Sequence, residues 1–378
     1  MKPIHVVHIC DKFGMRGSTT HGASRLFAWW FPRWDREKFD VKLYALKKPD
    51  SSSRSLEAEG VEIAYLGKSA FNPSTLTSFL DVIRREKADI LHLHGWISAN
   101  FGRVAGRIAS VPTIIHEHGV DPKFPLSQRI ADRTLSPLTH TAVAVSKSVR
   151  DFLTTKRSVD HRKIRIIYNG APLSEFTPAD PEMVAQARKE FGIPPGSRVV
   201  GTIGRLDTQK GITHFIQAIP SILSAASDVH FLIVGDGPKK EELKREAEQS
   251  GLAAKIKFTG HRLDVPVIQS MLDIQAFPSL WEGTPLTIFE AMAMGRAIVS
   301  TNVDGLGEVL VNGKSALVVN PADSKQLAEG ILRLLSDQGL AEKLRAGAVE
   351  QSRNFDISQT VRNLESLYEE LYINRRQQ

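Results

Sequence analysis

The 378-residue chain has one cysteine, Cys10, so no internal disulfide can form and the fold must rest on its apolar core. Long hydrophobic runs are missing as well. The apolar stretches fall far short of the roughly 18 to 20 residues that a membrane-spanning helix needs, and Met1-Lys2-Pro3 leads into a short histidine-bearing strand pattern rather than an apolar leader. The cytoplasm is the expected address, with peripheral contact to the cytoplasmic membrane face left open. There is no cysteine cluster, no His-Glu-x-x-His and no Asp-x-Asp pair, so no metal site is expected. Gly201-Thr202-Ile203-Gly204 and Gly235-Asp236-Gly237-Pro238 fall short of a dinucleotide loop, which argues against a dehydrogenase. No nucleic-acid module, low-complexity segment or short repeat is found.

What is present is ordinary globular composition, 42% hydrophobic and 24% charged. The length suits about two domains at roughly 150 residues each. The net charge of +7 is uneven: residues 1–190 hold 29 Lys and Arg against 20 Asp and Glu, and the remainder 20 against 22. Such a first half either meets an anionic partner, a membrane surface, a lipid-linked phosphate or nucleic acid, or carries a merely solvated basic surface.

Short β-rich runs alternate with helical patterns along the chain. Strands are predicted at 4–9, 41–46, 61–66, 90–93, 113–115, 141–145 and 164–167, then, after a proline-rich break at 177–195, at 199–203, 230–234, 256–258, 274–277, 297–300 and 317–319. This is α/β alternation, two Rossmann-like doubly wound sheets joined by a linker. The expected domains are 1–190 and 191–357. Beyond Ser324 the pattern is wholly helical, and Ile357, Val361, Leu364, Leu367, Tyr368 and Leu371 form one stripe on a final helix at 358–378.

In doubly wound sheets ligands sit beyond the carboxyl ends of the strands. In the second half, Thr284-Pro285 reads as a helix start, with the helix running to about Met294 and stopping at Gly295. The free amides and dipole of that start suit phosphate oxygens. Glu282 stands just before it and Glu290 roughly 8 Å further along the axis, at about 1.5 Å per residue, so two acceptor-only carboxylates flank a phosphate seat and could each hold a pair of hydroxyls. Alternatively both are a helix-start charge and a surface acid. Upstream, the strand at 199–203 ends in Gly204-Arg205-Leu206-Asp207-Thr208-Gln209-Lys210-Gly211, where Arg205 and Lys210 straddle a loop and could neutralise a diphosphate.

These residues resemble the nucleotide-sugar domain of GT-B glycosyltransferases, in particular the retaining glycosyltransferase family 4. Glu282 and Glu290 match its Glu-x7-Glu motif; Gly204-Arg205-Leu206 with Lys210-Gly211 matches its Arg and Lys pair; Val234 to Pro238 and Asp273 to Ser279 follow in family order. The resemblance implies two domains facing across a cleft, with the last helix crossing back to the first domain. It further implies that Arg205 and Lys210 grip the donor diphosphate, that Glu282 takes the sugar and Glu290 the ribose, and that the backbone of Gly283, Thr284, Pro285 and Leu286 supports both.

In the first half, His92-Leu93-His94 and His116-Glu117-His118 each place two histidines on one strand face. Metal ligation, structural histidines and acceptor handling compete. The resemblance aligns Pro112 to Gly119 with a strand ending in His-Gly, which makes His118 the expected contact with the transferring sugar. It also places His94, Asn169, Gly22 and Gly17 on the acceptor or cleft side; the loop at 14–25 is longer than the family's usual glycine pair. The run Leu26 to Trp34, bracketed by Arg25, Arg33 and Arg36, reads either as a core face or as an interfacial helix for lipid.

The expectation is a retaining, metal-independent glycosyltransferase with no cofactor. It would move a sugar from a nucleoside diphosphate donor to a glycan or lipid-linked hydroxyl acceptor, with Arg205, Lys210, Glu282 and His118 as its catalytic group. A non-hydrolysing nucleotide-sugar epimerase and a catalytically silent sugar-nucleotide binder remain open alternatives. The sequence names neither the base, the sugar nor the acceptor.

Overall fold

The computed structural model describes residues 2–14, 22–69 and 72–377. These divide into two compact units: residues 2–14, 22–170 and 357–377 form one, and 171–356 form the other. Each is built on a wholly parallel sheet whose strands are buried on both faces, which is why they read as Val/Ile/Leu runs rather than as alternating patterns.

The first unit contains β1 (Ile4–Cys10), β2 (Phe39–Ala45), β3 (Ile63–Tyr65), β4 (Ile90–His94), β5 (Thr113–Glu117), β6 (Thr141–Ala144) and β7 (Ile164–Ile166). Their spatial order is β3-β2-β1-β4-β5-β6-β7. Apolar clusters line the sheet, one around Val7, Ile9, Phe79, Leu91 and Leu93, another around Ile115, Ala142, Val145 and Leu153. The helix Ile357–Gln377 belongs to this unit and lays its stripe of Val361, Leu364, Leu367 and Tyr368 into the core. It is pinned by Glu365, which accepts from the Asp35 amide at 2.8 Å, and by Arg375, which donates to the Asp89 carbonyl at 3.1 Å.

The second unit contains β8 (Val199–Ile203), β9 (His230–Val234), β10 (Ile256–Gly260), β11 (Ile274–Phe277), β12 (Ala297–Thr301) and β13 (Leu317–Val319), in the order β10-β9-β8-β11-β12-β13. Its core gathers Val200, Phe215, Ile219, Phe231 and Ile331 on one face and Ile193, Val199, Leu232, Ile268 and Leu272 on the other.

Two expectations change. Residues 177–195 are not a bare linker: Asp180 caps a helix, Pro181–Glu190, whose Ala187 packs into the second core. Proline at the first helical position starts this helix rather than breaking it. The boundary accordingly falls at Gly170/Ala171 instead of 190. The aromatic run is core, since Phe27, Trp29, Trp30, Phe31 and Trp34 are all buried, leaving no face for lipid. No described helix is long and apolar enough to cross a membrane.

Candidate active site

In both sheets the strand order reverses between two neighbours, β1 and β4 in the first and β8 and β11 in the second. Connections leave in opposite directions there, so a crevice opens beyond the carboxyl ends. Arg205, Lys210 and Glu282 follow β8 and β11, Gly22 follows β1 and His94 ends β4, whereas His118 follows β5 and Asn169 follows β7 at the sheet edge.

In the second unit, the loops after β8 and β11 converge on Glu282. Lys210 Nζ donates to Glu282 Oε1 at 2.5 Å, Ser279 Oγ donates to the same oxygen at 2.8 Å, and Gln209 Nε2 donates to Oε2 at 3.1 Å. Arg205 pairs with Asp207 and reaches Gln209 Oε1 at 3.4 Å. The Glu282 side chain is only 4% exposed and that of Lys210 19%. A carboxylate so far out of water must be paired and hydrogen-bonded to remain charged. Two groups expected to serve different parts of one donor are therefore joined to each other.

The glycine at the end of the first loop makes this geometry possible. Gly211 has φ +59, and a Cβ there would stand 2.0 Å from the Pro278 carbonyl oxygen, so the two loops meet backbone to backbone. A hydrogen bond from the Leu280 amide to the Gln209 carbonyl, 2.8 Å, seals the contact. The helix following Glu282 spans Leu286–Ala293 and is preceded by Pro285 in an extended conformation. Thr284 is not its cap: its hydroxyl donates to the Gly283 carbonyl at 2.7 Å instead. The segment Gly283 to Leu286 is buried, and Glu290 is fully buried on the helix.

Three neighbours of Glu282 escaped the sequence. Ser279 and Gln209 are common polar residues in loops with no spacing rule to mark them. Asp304 accepts from the Glu282 amide at 3.0 Å across 22 residues, and burial raises its carboxyl above the ordinary range.

In the first unit, five imidazoles lie together. His8 on β1, His92 and His94 on β4 and His116 on β5 are buried, with His118 just beyond. Three pairs are joined nitrogen to nitrogen: His8 Nδ1 to His94 Nε2, His94 Nδ1 to His118 Nε2, and His92 Nε2 to His116 Nδ1, each at 3.0 Å. These rings are nearly parallel, tilted by 13°, 20° and 12°, with centroids 5.2, 5.3 and 5.1 Å apart. A separation that large with facing nitrogens means the rings lie edge to edge in one plane, not stacked. Two flat ribbons result, His8–His94–His118 and His92–His116. They stack on each other through His92 and His94 at 4.5 Å and His116 and His118 at 4.3 Å. The Tyr368 hydroxyl joins their ends, 3.0 Å from His8 Nε2 and 2.7 Å from His92 Nδ1. Burial pushes His8 down to about 3 and holds His92, His94 and His116 well below the usual histidine value.

The nitrogens of His8, His92 and His94, and those of His94, His116 and His118, come within 4.8 Å of one another. The paired nitrogens face each other in shared hydrogen bonds rather than converging on one point, which does not suit a metal. His94, expected on the acceptor side, has both nitrogens engaged and reaches a ligand only through His118. Asn169 is buried, with Oδ1 unpartnered among the described residues. Gly22 opens the helix Gly22–Trp30, and Gly17 lies outside the described residues.

Two doubly wound parallel units, one with a cation-bearing loop pair and a helix start at its switch point, are the architecture of GT-B glycosyltransferases. The model of the family described as Glycosyl transferases group 1 matches residues 184–353, and that of Glycosyltransferase Family 4 matches 21–175. The chain belongs to the glycosyltransferases of family 4, and it is an enzyme of that class. It is 27% identical over 313 residues, 80% of either chain, to the UDP-Gal:alpha-D-GlcNAc-diphosphoundecaprenol alpha-1,3-galactosyltransferase of Escherichia coli. Over 335 residues it is 28% identical to the 2-deoxystreptamine glucosyltransferase of Streptomyces kanamyceticus, covering 83% of this chain and 84% of that one. The crystal structure of Anabaena Alr3699/HepE in complex with UDP shares the fold with a TM-score of 0.83 at 20% identity, covering 98% of this chain and all of that one.

Proposed function

We propose that the enzyme transfers a glycosyl group from a UDP-linked sugar to a hydroxyl of a glycan or lipid-linked acceptor, with retention at the anomeric carbon and no divalent ion. The observation that carries this reading is the gathering of Arg205, Lys210 and Glu282 beyond β8 and β11, beside the helix that begins at Leu286. UDP is favoured by the Escherichia coli relative named for UDP-Gal and by the UDP held in the Anabaena neighbour. The diphosphoundecaprenol in that relative's name supports a lipid-linked acceptor.

On this reading the Lys210–Glu282 pair is a placeholder. Donor diphosphate replaces the carboxylate as partner of Lys210, joined by Arg205 and the amides of Gly283, Thr284 and Leu286, while the freed Glu282 accepts from sugar hydroxyls and Glu290 serves the ribose. The bond from anomeric carbon to phosphate oxygen breaks, and the acceptor oxygen attacks from the same face. Its proton passes to the departing phosphate, so no protein nucleophile is used. His118 hydrogen-bonds the transferring sugar, with Asn169, Gly22 and Gly17 on the acceptor side. Protein cations provide the field that a metal supplies elsewhere.

The test is thermal stabilisation and donor hydrolysis with UDP-, GDP- and ADP-sugars, with and without EDTA. A rise in Tm and slow hydrolysis with a UDP-sugar, insensitive to EDTA, is the expected result. No stabilisation by any nucleotide sugar, or activity lost to EDTA and restored by magnesium, overturns it, as does an inverted product anomer by proton NMR.

A further inference from the structure

Ligands of doubly wound sheets sit at the carboxyl ends of the strands, yet the second unit carries a charged hollow at the other edge of its sheet. Arg198 immediately precedes β8, Asp273 precedes β11 and Arg296 precedes β12, three neighbouring strands. Arg188, from the helix Pro181–Glu190, and Arg345, from the helix Gln338–Ser352, line the same place. The hollow measures about 530 Å³, within the range of small-molecule sites. The five residues of β8, at roughly 3.3 Å each, set it ~16 Å from the loop that bears Arg205 and Lys210.

Its charge is not balanced. Four guanidiniums line the hollow with one carboxylate, and that carboxylate is already engaged: Asp273 Oδ1 accepts from Arg198 Nη1 at 3.1 Å and Oδ2 from the Val199 amide at 2.8 Å. The other three arginines have only neutral carbonyl partners among the described residues. Arg188 Nη2 donates to the Pro194 and Ser197 carbonyls at 3.0 and 2.6 Å, Arg345 Nη2 to that of Asp273 at 3.1 Å, and Arg296 to those of Met294, Gln269 and Leu272. These bonds fix where the guanidiniums stand, but they leave Nε and Nη1 of Arg188 and of Arg345 without a partner among the described residues. Burial, and Arg345 beside it, lowers the basicity of Arg296. Nor is the crowding a by-product of a basic surface, since beyond residue 190 the chain holds fewer Lys and Arg than Asp and Glu. Half-buried like charges held together repel one another, and an anion that joins them relieves the repulsion.

We propose that this hollow is a second ligand site, which takes the phosphate group of a small phosphorylated metabolite at the edge of the sheet opposite the donor. Guanidinium forks match phosphate oxygens two at a time and stay charged when partly buried. The hollow is larger than a bare phosphate, so the remainder of the metabolite has room beside Ser197 and Gln338. Bound there, the phosphate ties the helices at 181–190 and 338–352 to the strand edge and stabilises the folded second unit. The site goes beyond the donor reading and does not rest on it.

The test is titration of the full protein with inorganic phosphate and with ribose 5-phosphate, at constant ionic strength and in saturating UDP, followed by calorimetry and amide NMR. Both should bind saturably at one site. The amides of Ser197 and Gln338 should shift while those of Gly204 and Gly211 stay still. Arg188→Gln and Arg345→Gln should each weaken binding at least ~tenfold, the loss of one charge-assisted hydrogen bond, with donor hydrolysis unchanged. Arg205→Gln should leave phosphate binding as in the wild type. No saturable binding up to millimolar phosphate, shifts confined to Gly204 and Gly211, or affinity untouched in both Gln variants of the hollow overturns the site; inorganic phosphate bound while its ribose ester is refused overturns the metabolite. If UDP itself fails to bind, the donor reading fails alone and the amide shifts still decide this one.

Discussion

The ion pair of Lys210 and Glu282 links stability to catalysis, and Lys210→Met separates the two. Without the ammonium, the nearly buried carboxylate of Glu282 keeps, among the described residues, only the Ser279 hydroxyl and the Gln209 amide. Removing one partner of a buried pair costs about 3–5 kcal/mol, or ~6–20 °C in Tm for a unit of this size. Adding Glu282→Gln removes the orphaned charge, keeps an oxygen for the Gln209 amide and offers an N–H that the Ser279 hydroxyl can accept, and should recover at least half of that loss. Transfer should not recover, because the diphosphate still lacks its cation; both variants should fall by at least ~100-fold in kcat. Urea unfolding followed by circular dichroism gives the first quantity and initial rates with a UDP-sugar the second. A double variant no more stable than the single one would refute the buried-charge argument, and a wild-type rate for Lys210→Met would remove Lys210 from the diphosphate.

Acid should unfold the first unit early. His8, His92, His94 and His116 titrate far below 6.5 when folded but near it when unfolded, so as pH falls below 6.5 the unfolded chain takes up protons that the folded one refuses, removing roughly 5–6 kcal/mol by pH 5.5. Stability that stays flat from pH 8 to 5, measured by urea titration, contradicts this. Gly235 has φ +133, and a Cβ there would lie 1.9 Å from the Gly204 carbonyl oxygen, so Gly235→Ala should cost more than ~3 kcal/mol; an unchanged urea midpoint would show that the two loops part freely. Burial, with Asp11 beside it, pushes the Cys10 thiol up to about 12, so thiol reagents at pH 8 should label it only after unfolding, and rapid labelling of the native protein would refute that burial.

Strands were legible because parallel strands buried on both faces leave compact runs of branched apolar residues. Four of the six in the second unit, Val199–Ile203, His230–Val234, Ile274–Phe277 and Leu317–Val319, begin and end where the sequence placed them. Prolines were harder to read: at Pro181 the residue starts a helix, and only the Asp180 cap before it said so. In the site, charged residues at strand ends, Arg205, Lys210 and Glu282, stood out because loops after strands seldom need them for packing. Their mutual pairing did not, since it depends on two loops separated by about seventy residues touching through Gly211. Tyr368 was visible only as one more apolar position on a helical stripe. A hydroxyl buried on such a stripe must find a partner, but nothing in spacing says that the partners are His8 and His92.

The closing helix Ile357–Gln377 makes the first unit discontinuous in the chain. On a ribosome, residues 171–356 are therefore released as a continuous stretch before their predecessor can be finished. At roughly 5–20 residues per second the interval between Gly170 and Tyr368 is about 10–40 s, during which His8 and His92 wait without the phenol that unites them. Until the late segment arrives, the places that Val361, Leu364, Leu367 and Tyr368 fill in that unit have no other part of the chain to fill them in the native manner.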